Sequence, residues 1–334
     1  MSALYDIVDQ ELGQPTLAAA RTVADEIRRR HGPAVAAVVF YGSCLRQRTD
    51  RGVLDFYVLV DSYRAVFTSR VLAVLNAVLP PNVLYLEVGD GPHPLRAKYA
   101  VISMRDFVSG ASARSVHAII WARFCQPARL VYSRDQASRS RVAGACAEAV
   151  LTLVGRMAAL LPARFQTAEL WQRGFRETYR TELRAEQPGT VQALYRSAVE
   201  RYSQVAEHAL SELRDRGQLV RVVPEPGRAA QGNADDRLVR KRSAFPFAWQ
   251  VTLSDRQRRR LRRDWKVRRA LAKGRYALWL LKSGLTFDDW LPYVAWKISR
   301  HAGLAWRPTD RQRRHPFLLG GPAILRLLVR RHLR

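Results

Sequence analysis

The stretch FYGSCLRQRTDRGVLDFYVLVD, residues 40–61, decides the fold of this chain. It begins at the end of an apolar run, AVAAVVFY (34–41), which the pair Gly42-Ser43 stops. Twelve residues later a second run, VLDFYVLV (53–60), begins. Both are short, rich in β-branched residues and bounded by turn formers, which predicts two buried strands. Gly42 lets the backbone approach an anion with no side chain in the way, and Ser43 adds a hydroxyl donor beside it.

A strand running into a Gly-Ser turn, a short gap, and a strand bearing a carboxylate is the arrangement of nucleotidyltransferases. In it Gly42 and Ser43 cradle a triphosphate, and Asp55 on the facing strand can hold the Mg²⁺ that bridges the phosphates. The commoner form of the motif has a second carboxylate at i+2, because residues i and i+2 share one face of a strand. Here Tyr57 occupies that position. Asp61 has the right parity, but six residues of strand place it about 20 Å from Asp55. Glu87, in LYLEV on the next expected strand, is therefore the candidate second metal ligand, facing Asp55 across the sheet.

Further out, residues 16–30 have helical periodicity, as do 64–79, which Pro80-Pro81 ends. Residues 83–88 and 97–103 predict two more strands, completing a small mixed sheet with helices. From 135 to about 216 the pattern is helical, with Val150, Leu151, Val154, Met157 and Leu161 at spacings of three and four. The stretch PEPGRAAQGNADD (224–236) predicts a linker. Beyond it, residues 255–282, 287–301 and 322–334 are candidate basic helices. The fold class expected is α+β. Its parts are a nucleotidyltransferase-like sheet domain (1–134), a helical domain completing the cleft (135–223), a linker (224–242) and a basic helical region (243–334).

The 334 residues carry 56 Lys and Arg against 29 Asp and Glu, a formal net charge of +27, and 48% of them are hydrophobic. High charge with that apolar content excludes wholesale disorder, which needs low hydrophobicity as well. Residues 221–334 hold 28 of the basic residues against 8 acidic ones, so the surface that meets a polyanion is mainly C-terminal. Cys44, Cys125 and Cys146 are far apart and form no metal-binding or disulfide spacing. The acidic start, MSALYDIVDQELGQ, is unlike a secretory or transit peptide, and the best apolar run, 143–161, is interrupted by Glu148 and Arg156. The expectation is a cytoplasmic protein, peripheral at the inner face of the membrane.

Four segments then extend the motif. YGSCLRQ, LDFYVLVD (54–61), KYAVIS (98–103) and ARFCQPARLVYSRD (122–135) resemble, in order and spacing, the mitochondrial phosphatidate cytidylyltransferases, the CDP-diacylglycerol synthases of the translocator-maintenance family, and their bacterial relatives. That family also lacks the i+2 carboxylate. Cys44 and Ala100 stand where it has glycine, and TYRTELR repeats its spacing of Tyr179, Glu182 and Arg184. The resemblance implies Mg²⁺-dependent transfer of a cytidylyl group from CTP to phosphatidic acid, giving CDP-diacylglycerol and pyrophosphate. It further implies that Lys98 offers a point charge to a phosphate and that Tyr179 and Arg184 line a lipid-phosphate pocket.

The C-terminal basic helices set Leu261 and Trp265 in a field of arginines, and Ile324, Leu325, Leu328 and Val329 against Arg326, Arg330 and Arg331. These are the ingredients of helices lying on an anionic membrane surface. Two other readings stand beside this one. A nucleotidyltransferase acting on RNA would also suit the charge, but the aromatic residues are not interleaved with the basic ones as a stacking platform requires, so nucleic acid is disfavoured as a partner. A non-catalytic relative that only binds nucleotide or membrane would explain Tyr57.

Overall fold

The computed structural model describes residues 2–89, 94–181, 189–216, 222–225, 248–251, 253–286, 309 and 311. The two runs flanking the Gly-Ser turn are strands β1 (Val35–Tyr41) and β2 (Val53–Val60), joined by the short helix α3 (Ser43–Gln47). Before them come α1 (Ala3–Leu12) and α2 (Ala18–His31), and after them α4 (Arg70–Val78), β3 (Asn82–Val88), β4 (Leu95–Ser103), α5 (Met104–Ala111), α6 (Trp121–Phe124) and β5 (Arg129–Ser133). The five strands form one mixed sheet in the order β3-β4-β2-β1-β5. Only β2 and β4 run parallel; the other pairs are antiparallel.

Both faces of the central strands are covered, which is why their sequences read as continuous apolar runs instead of alternating ones. Val38, Phe40, Phe56, Val58 and Val101 pack with Ala20, Val23, Ala24 and Ile27 of α2. Ala37, Val39, Tyr57, Leu59 and Ile102 face the opposite way, toward α1, α5 and the 23-residue α7 (Gln136–Ala158). Asp135 caps α7, accepting the Ser138 backbone N–H at 2.6 Å. The helices that follow, α8 (Thr167–Tyr179), α9 (Thr190–Arg196) and α10 (Val199–Asp215), pack on α7 and on one another, so the sheet and this bundle share one continuous core. A small sheet of β6 (Arg164–Phe165), β7 (Val222–Glu225) and β8 (Ala248–Val251), in the order β6-β8-β7, lies at the edge of the bundle.

The basic segment forms a single helix, α11 (Asp255–Thr286). It is anchored along its length. The Trp265 indole, itself buried, donates to Glu177 Oε2 on α8 at 2.8 Å. One end of the helix is fixed by Lys282, whose ammonium donates to Asn76 Oδ1 of α4 at 2.6 Å and to the backbone carbonyls of Leu79 and Pro81.

The mixed sheet, the helical part after it and the basic helix agree with the α+β expectation. Among the details that differ are these. α1 was not predicted, although Leu4, Val8 and Leu12 recur every four residues on its buried side and Ser2 caps it. The helix expected over 64–79 is confined to α4, because Ser69 accepts the Leu72 N–H and starts it there, while Tyr63–Ala65 form a separate 3-10 turn capped by Ser62. β5 was not predicted either: it is an edge strand whose five residues are all only half-buried, so it lacks a strong pattern. Most of the expected linker and the helices expected over 287–301 and 322–334 lie outside the described residues.

Candidate nucleotide site

β1 delivers Tyr41 directly opposite Asp55 of β2, and β2 in turn sets Asp55 directly opposite Lys98 of β4. The Lys98 ammonium lies 3.1 Å from Asp55 Oδ1. On the other side Gly42 closes against the same carboxylate. Its backbone has φ +93° and ψ −162°, a conformation costly for any residue with a Cβ. A Cβ on Gly42 would stand 2.8 Å from Asp55 Oδ2. The backbone strain and the close approach both require glycine here. The structure thus brings together Gly42, Asp55 and Lys98, with Ser43 exposed at the first position of α3.

Tyr57 stands in the i+2 position for a reason of packing. Its ring is buried and packs edge-on against Tyr41 at 5.5 Å and Phe124 at 5.0 Å, with Phe107 at 6.3 Å. A carboxylate there would be buried in an aromatic cluster, so this side chain supports the site from below. Cys44 is equally informative: its thiol is buried on the far face of the sheet and points to the Val53 carbonyl at 3.4 Å, away from the cleft. Ala100 is buried beside Lys98 and lines the cleft wall.

Two residues join the site that sequence reasoning did not single out. Tyr41 and Arg123 line, with Tyr57, Lys98 and Trp279, a cavity of about 90 Å³ at the site. Burial, and next the negative charge of Asp55, push the Tyr41 phenol well above its ordinary pKa, while a hydrogen bond with Arg123 opposes that shift. Tyr41 is therefore a neutral hydroxyl at neutral pH. Arg123 is held in turn by the Ile119 carbonyl, to which its Nη1 donates at 2.7 Å. The signal for Arg123 was present in the ARFCQP segment, but its partner lies 82 residues upstream and only the fold joins them. The roof of the cavity comes from α11, whose Trp279 indole donates to the Pro81 carbonyl at 2.7 Å.

Glu87 requires a correction. It shares the sheet face of Asp55, but β4 lies between their strands and Glu87 is opposite Arg96, two pairs further along than Lys98. Two strand spacings of about 4.8 Å separate the strands alone, too far for both carboxylates to bind one ion with Mg–O bonds near 2.1 Å. Glu87 Oε1 instead accepts from Tyr85 Oη at 2.7 Å and Arg96 Nε at 3.1 Å. Asp61, as the spacing predicted, is elsewhere: it accepts both Nη atoms of Arg134, at 2.6 and 3.0 Å. Tyr179 ends α8 and packs half-buried against the bundle core. Glu182 and Arg184 lie outside the described residues.

Among the described residues no group of three or more His, Cys, Asp and Glu side chains could by itself enclose a metal. A magnesium ion, however, is commonly held by one or two carboxylates with substrate phosphates and water supplying the rest of its octahedron. Asp55, with one oxygen against the glycine turn and the other on the Lys98 ammonium, fits that kind of site. No helix among the described residues is long and apolar enough to cross a membrane. No family model matches this chain, and no curated protein matches it.

Proposed function

We propose that this protein is a nucleotidyltransferase that moves the cytidylyl group of CTP onto phosphatidic acid, forming CDP-diacylglycerol and releasing pyrophosphate. The observation that carries the reading is the contact of Asp55 with Gly42 on one side and Lys98 on the other, at the end of a strand-turn-strand unit. An acidic residue, a side-chain-free turn and a basic residue at one point suit a triphosphate. The segments that resemble the CDP-diacylglycerol synthases supply the cytosine and the lipid acceptor.

The acceptor phosphate is already anionic at pH 7, so the reaction makes little demand on a general base. One of its oxygens forms a bond to the α-phosphorus as the bond from that phosphorus to the bridging oxygen breaks, and pyrophosphate leaves with that electron pair. Catalysis then rests on alignment and on neutralising charge at the leaving group. Gly42 and Ser43 position the triphosphate, Lys98 turns from Asp55 toward a phosphate oxygen, and Arg123 and Tyr41 are donors at the same wall. Magnesium held by Asp55 would supply Lewis-acid stabilisation of the phosphate oxygens.

A lipid acceptor requires that the cleft meet a membrane. α4 exposes Val71, Val74, Leu75 and Val78 on one side, and α11 exposes Val267, Leu271 and Leu278 amid its arginines. Lys282 ties these two helices together. An apolar stripe flanked by positive charge suits an anionic bilayer, where apolar side chains enter the headgroup boundary and each basic residue near it contributes about 1 kcal/mol. This supports a peripheral location at the membrane.

The test is incubation of the purified protein with Mg²⁺, α-labelled CTP and phosphatidic acid in mixed micelles, with label followed into the organic phase. Label from wild type and none from Asp55→Asn is the expected result. No organic-phase label from any of the four nucleoside triphosphates would overturn the reading.

A further inference from the structure

A second concentration of guanidinium groups lies away from the Asp55–Lys98 contact. The C-terminal end of α1, the end of α3, the start of β5 and the first turn of α10 enclose a cavity of about 430 Å³, within the usual size of small-molecule sites. Among the described residues Arg46, Arg48, Arg129 and Arg201 line it, together with the carboxylates of Glu11 and Glu200.

One of those carboxylates is already used. Glu11 accepts from Arg201 Nε at 2.7 Å and from the Ala128 backbone N–H at 3.1 Å, and Arg201 also donates to the Cys125 carbonyl, so this pair is internally satisfied. Glu200 is exposed. Among the described residues the hydrogen-bond partners of Arg46 and Arg129 are neutral. Arg46 reaches the Gln126 side-chain oxygen at 3.4 Å. Arg129 donates through its Nη atoms to the Ala128 carbonyl at 2.8 Å and Gln14 Oε1 at 2.7 Å, while its Nε is buried with no acceptor. Burial, with Arg48 and Arg201 adding to it against Glu11, lowers the Arg129 pKa from its ordinary value. Arg48 sits at the end of α3 in the left-handed region, φ +50°.

Buried charge is normally paired, and an orphaned buried donor costs about 1–3 kcal/mol. Arg129 carries such a donor, and with Arg46 and exposed Arg48 beside it the basic groups outnumber Glu200, the one lining carboxylate that Arg201 does not engage, which favours an anion in the cavity. Guanidinium forks match phosphate oxygens in bidentate fashion, and the apolar walls, Ile7, Leu45 and Pro127, leave room for an organic body beside the charge. We infer that the cavity between α1, α3 and α10 is a binding site for a phosphate monoester, with Arg46, Arg48 and Arg129 as its ligands. The inference is independent of the transfer reaction, since it concerns binding alone.

Titration calorimetry of the full chain, without CTP or Mg²⁺, tests it with three probes: inorganic phosphate, sn-glycerol 3-phosphate and dihexanoyl phosphatidic acid below its micelle concentration. Saturable binding of at least one probe is expected, weakened tenfold or more in Arg48→Gln and Arg129→Gln and unchanged in Arg141→Gln, at an exposed arginine outside the cavity. Binding of all three identifies a site for the phosphate group itself, and binding of the lipid alone identifies a headgroup site. No binding by any probe overturns the proposal. So does unchanged affinity in Arg48→Gln, a substitution at an exposed position that leaves folding intact.

Discussion

Lys98 Nζ stands 3.1 Å from Asp55 Oδ1 because these residues, 43 apart in the chain, are direct register partners on the parallel strands β2 and β4. The contact is partly open to solvent, so its contribution to stability is small, on the order of 1 kcal/mol or less. On the proposed function its weight is in the chemistry. Asp55→Asn and Lys98→Met should each lower CTP-dependent transfer by about a thousandfold or more while stability in urea changes by less than about 1 kcal/mol. Initial rates alongside denaturation curves check this, and a variant that unfolds would show the pair to be structural.

Gly42→Ala should be worse than its size suggests. The substitution places a methyl group 2.8 Å from Asp55 Oδ2 on a backbone with φ +93°. A cost of about 1–2 kcal/mol in folding is expected from the backbone alone, with transfer activity lost through displacement of the carboxylate. Gly144→Ala on α7 is the comparison, since there an added Cβ meets nothing within 4 Å.

Glu177 joins the bundle to the basic helix. Its carboxylate is buried, pairs with Arg180 at 2.9 Å and Arg173 at 3.2 Å, and accepts the Trp265 indole N–H. Glu177→Ala leaves the buried Trp265 donor without its acceptor, while the facing arginines are partly solvated, and should cost about 1–3 kcal/mol by chemical denaturation. Trp265→Phe, which removes one hydrogen bond and part of a buried ring, should cost less.

Glu207 supplies a pH dependence. Burial raises its pKa from 4.5 to about 7, against the lowering effect of the Trp249 indole, which donates to Oε1 at 2.8 Å. Between those values the folded chain keeps a proton that the unfolded chain has released. Its contribution to stability is therefore complete below pH 4.5 and is lost as pH rises through about 7. Glu207→Gln should match wild type near pH 4.5 and exceed it by about 1–3 kcal/mol at pH 8, read from urea titrations at the two pH values.

The membrane reading makes a prediction confined to the surface. Val74 and Leu278 are 54% and 59% exposed on α4 and α11. Val74→Glu combined with Leu278→Glu should reduce sedimentation with phosphatidate-containing vesicles at least tenfold and leave the thermal midpoint unchanged. Full retention of vesicle binding would remove these helices from the contact.

How far the sequence was legible depends on the range of each interaction. The two strands around Gly42, the helix over most of 16–30, the stop at Pro80-Pro81 and the position of α11 are local patterns of apolar spacing and chain-breaking residues, and they could be read directly. α1 is also local, with its buried residues every fourth position, and a search for helix periodicity would have found it. β5 had no such signal, because an edge strand half-open to solvent places few constraints on its side chains.

The sequence by itself determined that a glycine turn and a carboxylate would meet, since β1 and β2 form an antiparallel pair separated by a few residues and hydrophobic pattern sets their register. It also determined the charge of the C-terminal third. Only the tertiary structure decided the partners that come from far away. Parallel pairing of β2 with β4 set Lys98 on Asp55, and the same strand order moved Glu87 out of reach. Packing of α6 against the sheet brought Arg123 to Tyr41, and the docking of α11 placed Trp279 at the site and joined its basic surface to α4. Each of these depends on which face of one element covers another, and that is fixed by burial summed over the whole core, a quantity no short stretch of sequence contains.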